Sequence, residues 1–426
     1  MSTYRTDAPT LLRGEVVTPT QIEPDGVVVL SGDRIAWVGP VEQLPAEWRD
    51  ELPAEPAPGT TVLPGLIDIH DHGGGGESFP DATTADQART AAREHLRHGT
   101  TGLVASLVTA PREVLLARAA LLADLVDAGE LIGIHSEGPF LSADRCGAQN
   151  PGDMLGGDPV LVAELAAAAR GHLVTMTIAP EVPGVADGGP GRPDAMSALV
   201  QAGALPSIGH TDAHAPTVEA AVQRGRALLA GGERAEAVGG GLLPGRSPRL
   251  TATHLFNGMR PLHHRDPGPI AACLAAAARG ELVVELVADG THLDPATVRS
   301  IFDLVGAESI MLVTDAMAAA GMPDGDYRLG PMAVRVGEGV ARLIADDGSS
   351  GAIAGGTAHL LDVVRATVAA GVPMVAAVRS AATTPAHVLG REDLGALVAG
   401  RRADVLVTDH ELAPVAVYRA GVLIED

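Results

Sequence analysis

The strongest constraint in this 426-residue chain is an alternation that runs from residue 66 to 315. Eight short apolar runs mark it, at 66–70, 101–108, 131–135, 173–179, 204–210, 251–256, 281–289 and 309–315. Most are followed by Ala- and Arg-rich stretches with helical spacing, such as ATTADQARTAAREHLRH and DPATVRSIFDLV. Continuous apolar strands separated by amphipathic helices predict a parallel sheet buried on both faces. Eight such units in about 250 residues match the size of a closed (β/α)8 barrel of the TIM-barrel class. The expected fold is therefore α/β, with the barrel over residues 61–335. A doubly wound open sheet is the fallback. No glycine-rich dinucleotide fingerprint follows the first run, which weighs against it.

The two ends of the chain read differently. LLRGEVVTP, DGVVVLSGD and RIAWVG near the start are short β runs with turn residues between them. AVRVGEGVARLIA, ADVLVTD and VAVYRAGVLIE near the end are similar. Residues 1–60 and 336–426 are expected to form a small β-sandwich domain built from both chain ends, with the C-terminal part also supplying helices that pack on the barrel. Two Gly/Pro-rich stretches, 181–194 and 231–249, read as loop insertions.

Composition narrows the function classes. Fifty-three acidic residues face 30 basic ones, a formal charge of −23, which repels phosphate backbones and argues against nucleic-acid binding. The apolar stretch 366–378 is too short to span a membrane, and Pro373 breaks it. The N-terminus lacks an apolar core of signal-peptide length. Two cysteines, Cys146 and Cys273, are too few for a disulfide framework. The expected location is the cytoplasm.

In a barrel, chemistry sits at the C-terminal ends of the strands. The first run ends in His70-Asp71-His72, the third in His135-Ser136-Glu137 and the fifth in Gly209-His210. The sixth carries His254, the seventh leads to His292 and the eighth ends in Asp315. One histidine at a strand end is usually a hydrogen-bonded core or surface residue, and one aspartate usually caps a helix. The set is different. His70 and His72 fall on one side of a strand, because side chains alternate. With Glu137, His210 and His254 they form a donor set suited to zinc or another divalent ion. His95, His98, His172, His387 and His410 read as solvated, His135 and His214 as structural, and Cys146 as a small buried residue. His359 stays undecided. All 30 basic residues are arginine. A carboxylated-lysine bridge between two metals is therefore impossible, and Glu137 is the candidate bridging acid.

The strings LPGLIDIHDHGGGG, HSEGPFLSADRCGAQNP, GHTDA, THLFNGMRPLHHRDPG, ADGTHLDP and LVTDAMAAAGMPDGDYRLG resemble the N-acetylglucosamine-6-phosphate deacetylases, a branch of the amidohydrolase superfamily. The resemblance runs in order from residue 61 to 330. It implies that Glu137, His210 and His254 hold one metal and that His70 and His72 can hold a second, so one or two ions bind per subunit. It implies Asp315 as acid/base, acting with a metal-bound hydroxide on the acetamide of a sugar phosphate. Ala148, Asn257, Gly258 and His292 would contact the substrate. Arg265 would reach the phosphate in the neighbouring subunit of a homodimer. The loop departs from the family's G-x-H-N-P pattern, with Gln149 where the histidine stands. Glutamine donates a hydrogen bond without charge, so it could still stabilise an oxyanion. The rival readings are another N-acylated substrate, such as N-acetylgalactosamine 6-phosphate, and a non-catalytic scaffold. A scaffold has no chemical need for this set of ligands.

Overall fold

The computed structural model describes residues 8–56, 59–189, 191–231, 246–345 and 347–425. The greater part of the 231–249 insertion and the first seven residues lie outside them. Eight parallel strands form one sheet in chain order: β1 (Leu66–Asp71), β2 (Thr100–Leu107), β3 (Gly133–Glu137), β4 (Leu173–Ile178), β5 (Leu205–Ile208), β6 (Leu250–Ala252), β7 (Leu282–Leu286) and β8 (Ile310–Leu312). Each lies within two residues of the start of its predicted run. All eight are buried along their length, as continuous apolar strands require.

The helices follow in the expected places: α1 (Ala85–Arg97), α2 (Arg112–Asp127), α3 (Pro159–Ala168), α4 (Ala195–Ala202), α5 (Ala215–Gly231), α6 (Gly268–Ala278), α7 (Pro295–Val305) and α8 (Leu360–Ala369). Local chemistry starts several of them. Thr84, Asp158, Asp194 and Asp294 each accept a backbone N–H as N-caps. The helices press mostly Ala, Leu and Val onto the sheet, so a core with very few aromatic residues still closes.

The barrel closes unevenly. No ladder joins β8 to β1. The seam is held beyond the strands, where Asp315 N–H donates to the His70 carbonyl (2.9 Å) and His72 N–H donates to the Ala316 carbonyl (2.7 Å). Deeper in the seam, the buried Asp68 carboxylate accepts from His70 N–H (3.1 Å) and from the Thr314 hydroxyl (2.7 Å).

Both chain ends meet in a seven-stranded mixed sheet, ordered Val422–Leu423, Pro414–Arg419, Val405–Thr408, Thr61–Pro64, Thr10–Val17, Ile22–Ser31, Arg34–Pro40. Two features differ from expectation. Thr61–Pro64 belongs to this sheet rather than to the barrel, pairing with Thr10–Val17 on one side and Val405–Thr408 on the other. The run 333–345 does not join the terminal strands. It forms, with Gly325–Leu329 and Ser350–Ile353, a separate four-stranded antiparallel sheet between β8 and α8. Leu329, Val334 and Val336 pack it against Val108 and Met317, just past the ends of β2 and β8. No helix among the described residues is long and apolar enough to cross a membrane.

Candidate active site

A cavity of about 380 Å³ opens at the C-terminal end of the barrel. Glu137, the last residue of β3, stands between two pairs of histidines. Its Oε1 lies 2.8 Å from His210 Nε2 and 2.8 Å from His254 Nε2. Its Oε2 lies 3.2 Å from His72 Nε2 and 3.9 Å from His70 Nε2. Asp315 Oδ1 approaches the same pair from the other side, at 3.3 Å from His72 Nε2 and 3.5 Å from His70 Nε2. His70, His72, Glu137, His210 and His254 are all buried.

The backbone is strained where these groups are presented. His210, His254 and Asp315 have φ values of 46°, 27° and 49°. A left-handed residue with a side chain costs roughly 1–2 kcal/mol, and such strain gathers at functional sites. Gly258 makes room beside them. Its φ is 60°, and a Cβ there would meet His210 Nδ1 at 2.7 Å. Any side chain at 258 would push His210 out of place.

Hydrogen bonding tests whether the donors fit a metal. His70 Nδ1–H donates to Glu285 (3.0 Å), His72 Nδ1–H to the Ser106 carbonyl (3.2 Å) and His210 Nδ1–H to the Arg145 carbonyl (2.7 Å). Each neutral ring then carries its lone pair on Nε2. The Nε2 atoms of His70 and His72 face each other at 3.1 Å, and His210 Nε2 faces a carboxylate oxygen. Facing acceptors repel unless a proton or a cation stands between them, and these nitrogen and carboxylate donors fit a divalent ion. Two groups of mutually close ligand atoms result: His70, His72 and Asp315, and His70, Glu137 and His254.

The charge balance agrees. Burial acts to raise the pKa values of Glu137 and Asp315, but the surrounding imidazoles hold both carboxyls well below their ordinary range. Burial acts to lower the pKa values of His70 and His72, yet Asp315 and Glu137 hold both above the ordinary value, His72 at about 9. The pocket floor stabilises positive charge.

The remaining predicted residues separate into two groups. Ala148, Gln149, Asn257, Gly258 and His292 line the cavity with the ligand set. Arg265 does not; it sits on the exposed stretch 261–265. Gln149 is buried and already engaged. Its Oε1 accepts from Thr109 N–H (2.8 Å), and its amide donates closely to Glu137 Oε2. One amide hydrogen is left for another acceptor.

Several histidines differ from expectation. His95 is fully buried, its Nε2 2.9 Å from Asp71, because Ala88, Ala91 and His95 share the inward face of α1. His98 stacks on His359 with ring centroids 3.5 Å apart. These two and Glu94 form a third cluster of possible ligands. His98 donates to the Glu94 carbonyl (2.8 Å) and His359 bonds Glu94 Oε1 (3.0 Å), so ordinary hydrogen bonds account for it. Cys146 is partly exposed rather than buried.

Two residues went unnoticed in the sequence. Glu285 was hidden inside an apolar run, although a carboxylate in the middle of a buried strand is itself a signal. Arg342, in the four-stranded sheet, lines the cavity and makes no ion pair among the described residues. Nothing in its local sequence separates it from the other arginines.

Residues 61–188 match the amidohydrolase family. An N-acetylglucosamine-6-phosphate deacetylase from Vibrio furnissii is 32% identical over 95% of this chain and 92% of its own length. The chain belongs to the N-acetylglucosamine-6-phosphate deacetylase family.

The deacetylase of that name from Mycobacterium smegmatis, solved in complex with N-acetyl-D-glucosamine-6-phosphate, is 39% identical. Its TM-score is 0.82, with 98% of this chain and 99% of that one covered. An N-acetylgalactosamine-6-phosphate deacetylase from Shewanella is 29% identical over 89% of this chain and 87% of its own length. The deacetylase family thus includes relatives named for either epimer.

Proposed function

We propose that the protein hydrolyses the acetamide of N-acetylglucosamine 6-phosphate, releasing glucosamine 6-phosphate and acetate. The observation that carries the reading is the pair of facing Nε2 lone pairs and the shared Glu137 carboxylate at the floor of one cavity, with Asp315 beside them. Glu137, His210 and His254 would hold one ion, and His70 and His72 a second, with zinc the first candidate for such nitrogen and carboxylate donors. When bound by these residues, such an ion would supply an acidified water, with its pKa brought from 15.7 to about 7, and a Lewis acid for the acetyl carbonyl.

The chain's own groups do the rest. Asp315 is held ionised, so it can take a proton from the attacking water and return it to the amine nitrogen as the C–N bond breaks. The free amide hydrogen of Gln149 can donate to the developing oxyanion. Ala148, Asn257, Gly258 and His292 surround the space left for the sugar. Arg265 is assigned to the phosphate of a neighbouring subunit in a homodimer. In support, an Arg260–Asp266 ion pair (2.8 Å) pins the base of the exposed 261–265 stretch and leaves Arg265 facing outward. The cytoplasm is the proposed compartment, in keeping with two unpaired cysteines.

Acetate release tests the reading, measured on N-acetylglucosamine 6-phosphate, its galactosamine epimer and the unphosphorylated sugar, with and without chelator. Turnover of the glucosamine phosphate above the other two, lost on chelation and restored by zinc, is expected. Faster turnover of the epimer would reassign the substrate. Chelator-resistant turnover would remove the metal from the reaction.

A further inference from the structure

Glu285 has no place in the reaction just described, yet it is 1% exposed in the middle of β7, among Leu282, Val283, Val284 and Leu286. A carboxylate buried among apolar side chains is strongly unfavourable unless it is paired and hydrogen-bonded. No arginine reaches it among the described residues. Its Oε2 instead accepts from His70 Nδ1–H at 3.0 Å and from the His254 backbone N–H at 3.1 Å.

The four histidines are therefore backed differently. His72 and His210 rest on backbone carbonyls, and His254 Nδ1 has no hydrogen-bond partner among the described residues. His70 alone rests on a carboxylate. Such a contact fixes the tautomer, aims the opposite nitrogen and makes it a stronger donor. Here it turns His70 Nε2 toward His72 Nε2 and Asp315.

We propose that Glu285 is the positioning residue for the ion held by His70 and His72, so that its removal weakens that ion selectively and spares the one held by Glu137, His210 and His254. The proposal rests on the reading that this centre holds two divalent ions. The Glu285 carboxylate hydrogen-bonds His254 at its backbone N–H and not at its ring, so the second ion keeps its side-chain donors when Glu285 is changed.

Cobalt(II) titration of metal-stripped protein, followed by visible absorption and by metal analysis after dialysis, tests it without reference to activity. The wild type takes up two equivalents. Glu285→Ala keeps one at wild-type affinity and binds the other 10–100-fold more weakly, the usual effect of losing a group that backs a metal ligand. Glu285→Gln keeps an acceptor for His70 Nδ1–H and recovers most of that affinity. It also provides a folded protein to measure if the alanine variant does not fold. In His70→Ala the further change Glu285→Ala has little added effect, because the two act as one unit. Two unchanged affinities in Glu285→Ala, equal weakening of both ions, or a glutamine variant as weak as the alanine one would overturn the proposal. A wild-type protein that takes up fewer than two equivalents overturns the two-ion reading itself.

Discussion

Asp315 shows how much a single residue's surroundings decide. The same Asp could cap a helix, but His70 and His72 lie within 3.5 Å of its Oδ1 and keep it ionised despite burial. Asp315→Asn is expected to lower kcat by about 10²–10⁴, the range for a general acid/base, while metal content stays at the wild-type level. Full activity in this variant would remove it from the proton path. His292 carries a pH dependence instead. Burial opposes its charge, but Asp289 at 2.8 Å raises its pKa above the ordinary 6.5 and is itself lowered below 3.8. The stability this pair contributes is whole between those two ordinary values. It is lost as pH rises through the raised value of His292, or falls through the depressed value of Asp289. A protonated His292 in the cavity favours an anionic substrate, so KM for the phosphorylated sugar should rise once pH passes the raised value. Asp289→Asn should move that limb to lower pH, together with the His292 ring titration seen by NMR. An unmoved titration would refute the link. At this scale the histidine and acid set could be read from the sequence, because each member follows an apolar run. Glu285 could not be assigned, because its role depends on a histidine 215 positions away.

Elements were legible where their partners are near in sequence. Parallel strands and their crossover helices announce themselves by alternating period, and all eight barrel strands were found that way. The run 333–345 has the period of any antiparallel strand, and nothing in it names its partners. Those partners are Gly325–Leu329 and Ser350–Ile353, close neighbours that together make an independent sheet. The mistake matters, because this sheet carries Arg342, Ala352 and Ile353 into the cavity wall. Among the described residues, Arg342 Nη1 makes a long contact to the Gly351 carbonyl (3.4 Å) and no ion pair, which leaves its guanidinium available to an anion. In a chain of net charge −23, a cation at the cavity wall favours an anionic ligand. Arg342→Ala should raise KM for N-acetylglucosamine 6-phosphate about tenfold or more with little change in kcat, and leave the plain sugar nearly untouched. Arg265→Ala, assayed beside it, separates a contact made within one subunit from one made across a dimer. Equal effects of Arg342→Ala on both sugars would assign it a structural role.

For the whole molecule, the proposed ligands come from the ends of β1, β3, β5 and β6, so the ions would tie together four of eight strands. Binding energy at such a centre is also folding energy. One seam of the barrel is closed differently from the rest: among the described residues β8 and β1 share no ladder and are joined by hydrogen bonds of Asp68, Asp315, His72 and their partners. His70 and His72 stand on one side of that seam and Asp315 on the other. Removing metal should therefore do more than lower the melting temperature. The lone pairs and carboxylates that an ion holds together would repel or capture protons, and the seam has no strand ladder to resist opening. Hydrogen exchange after chelation should rise first and most in residues 68–73 and 312–316. Strands β4 and β5, in which Thr175 to Ile178 pair without a break with Leu205 to Ile208, should stay protected. Added zinc should restore the seam. A uniform rise over all eight strands would mean that the ions stabilise the barrel globally rather than by closing it.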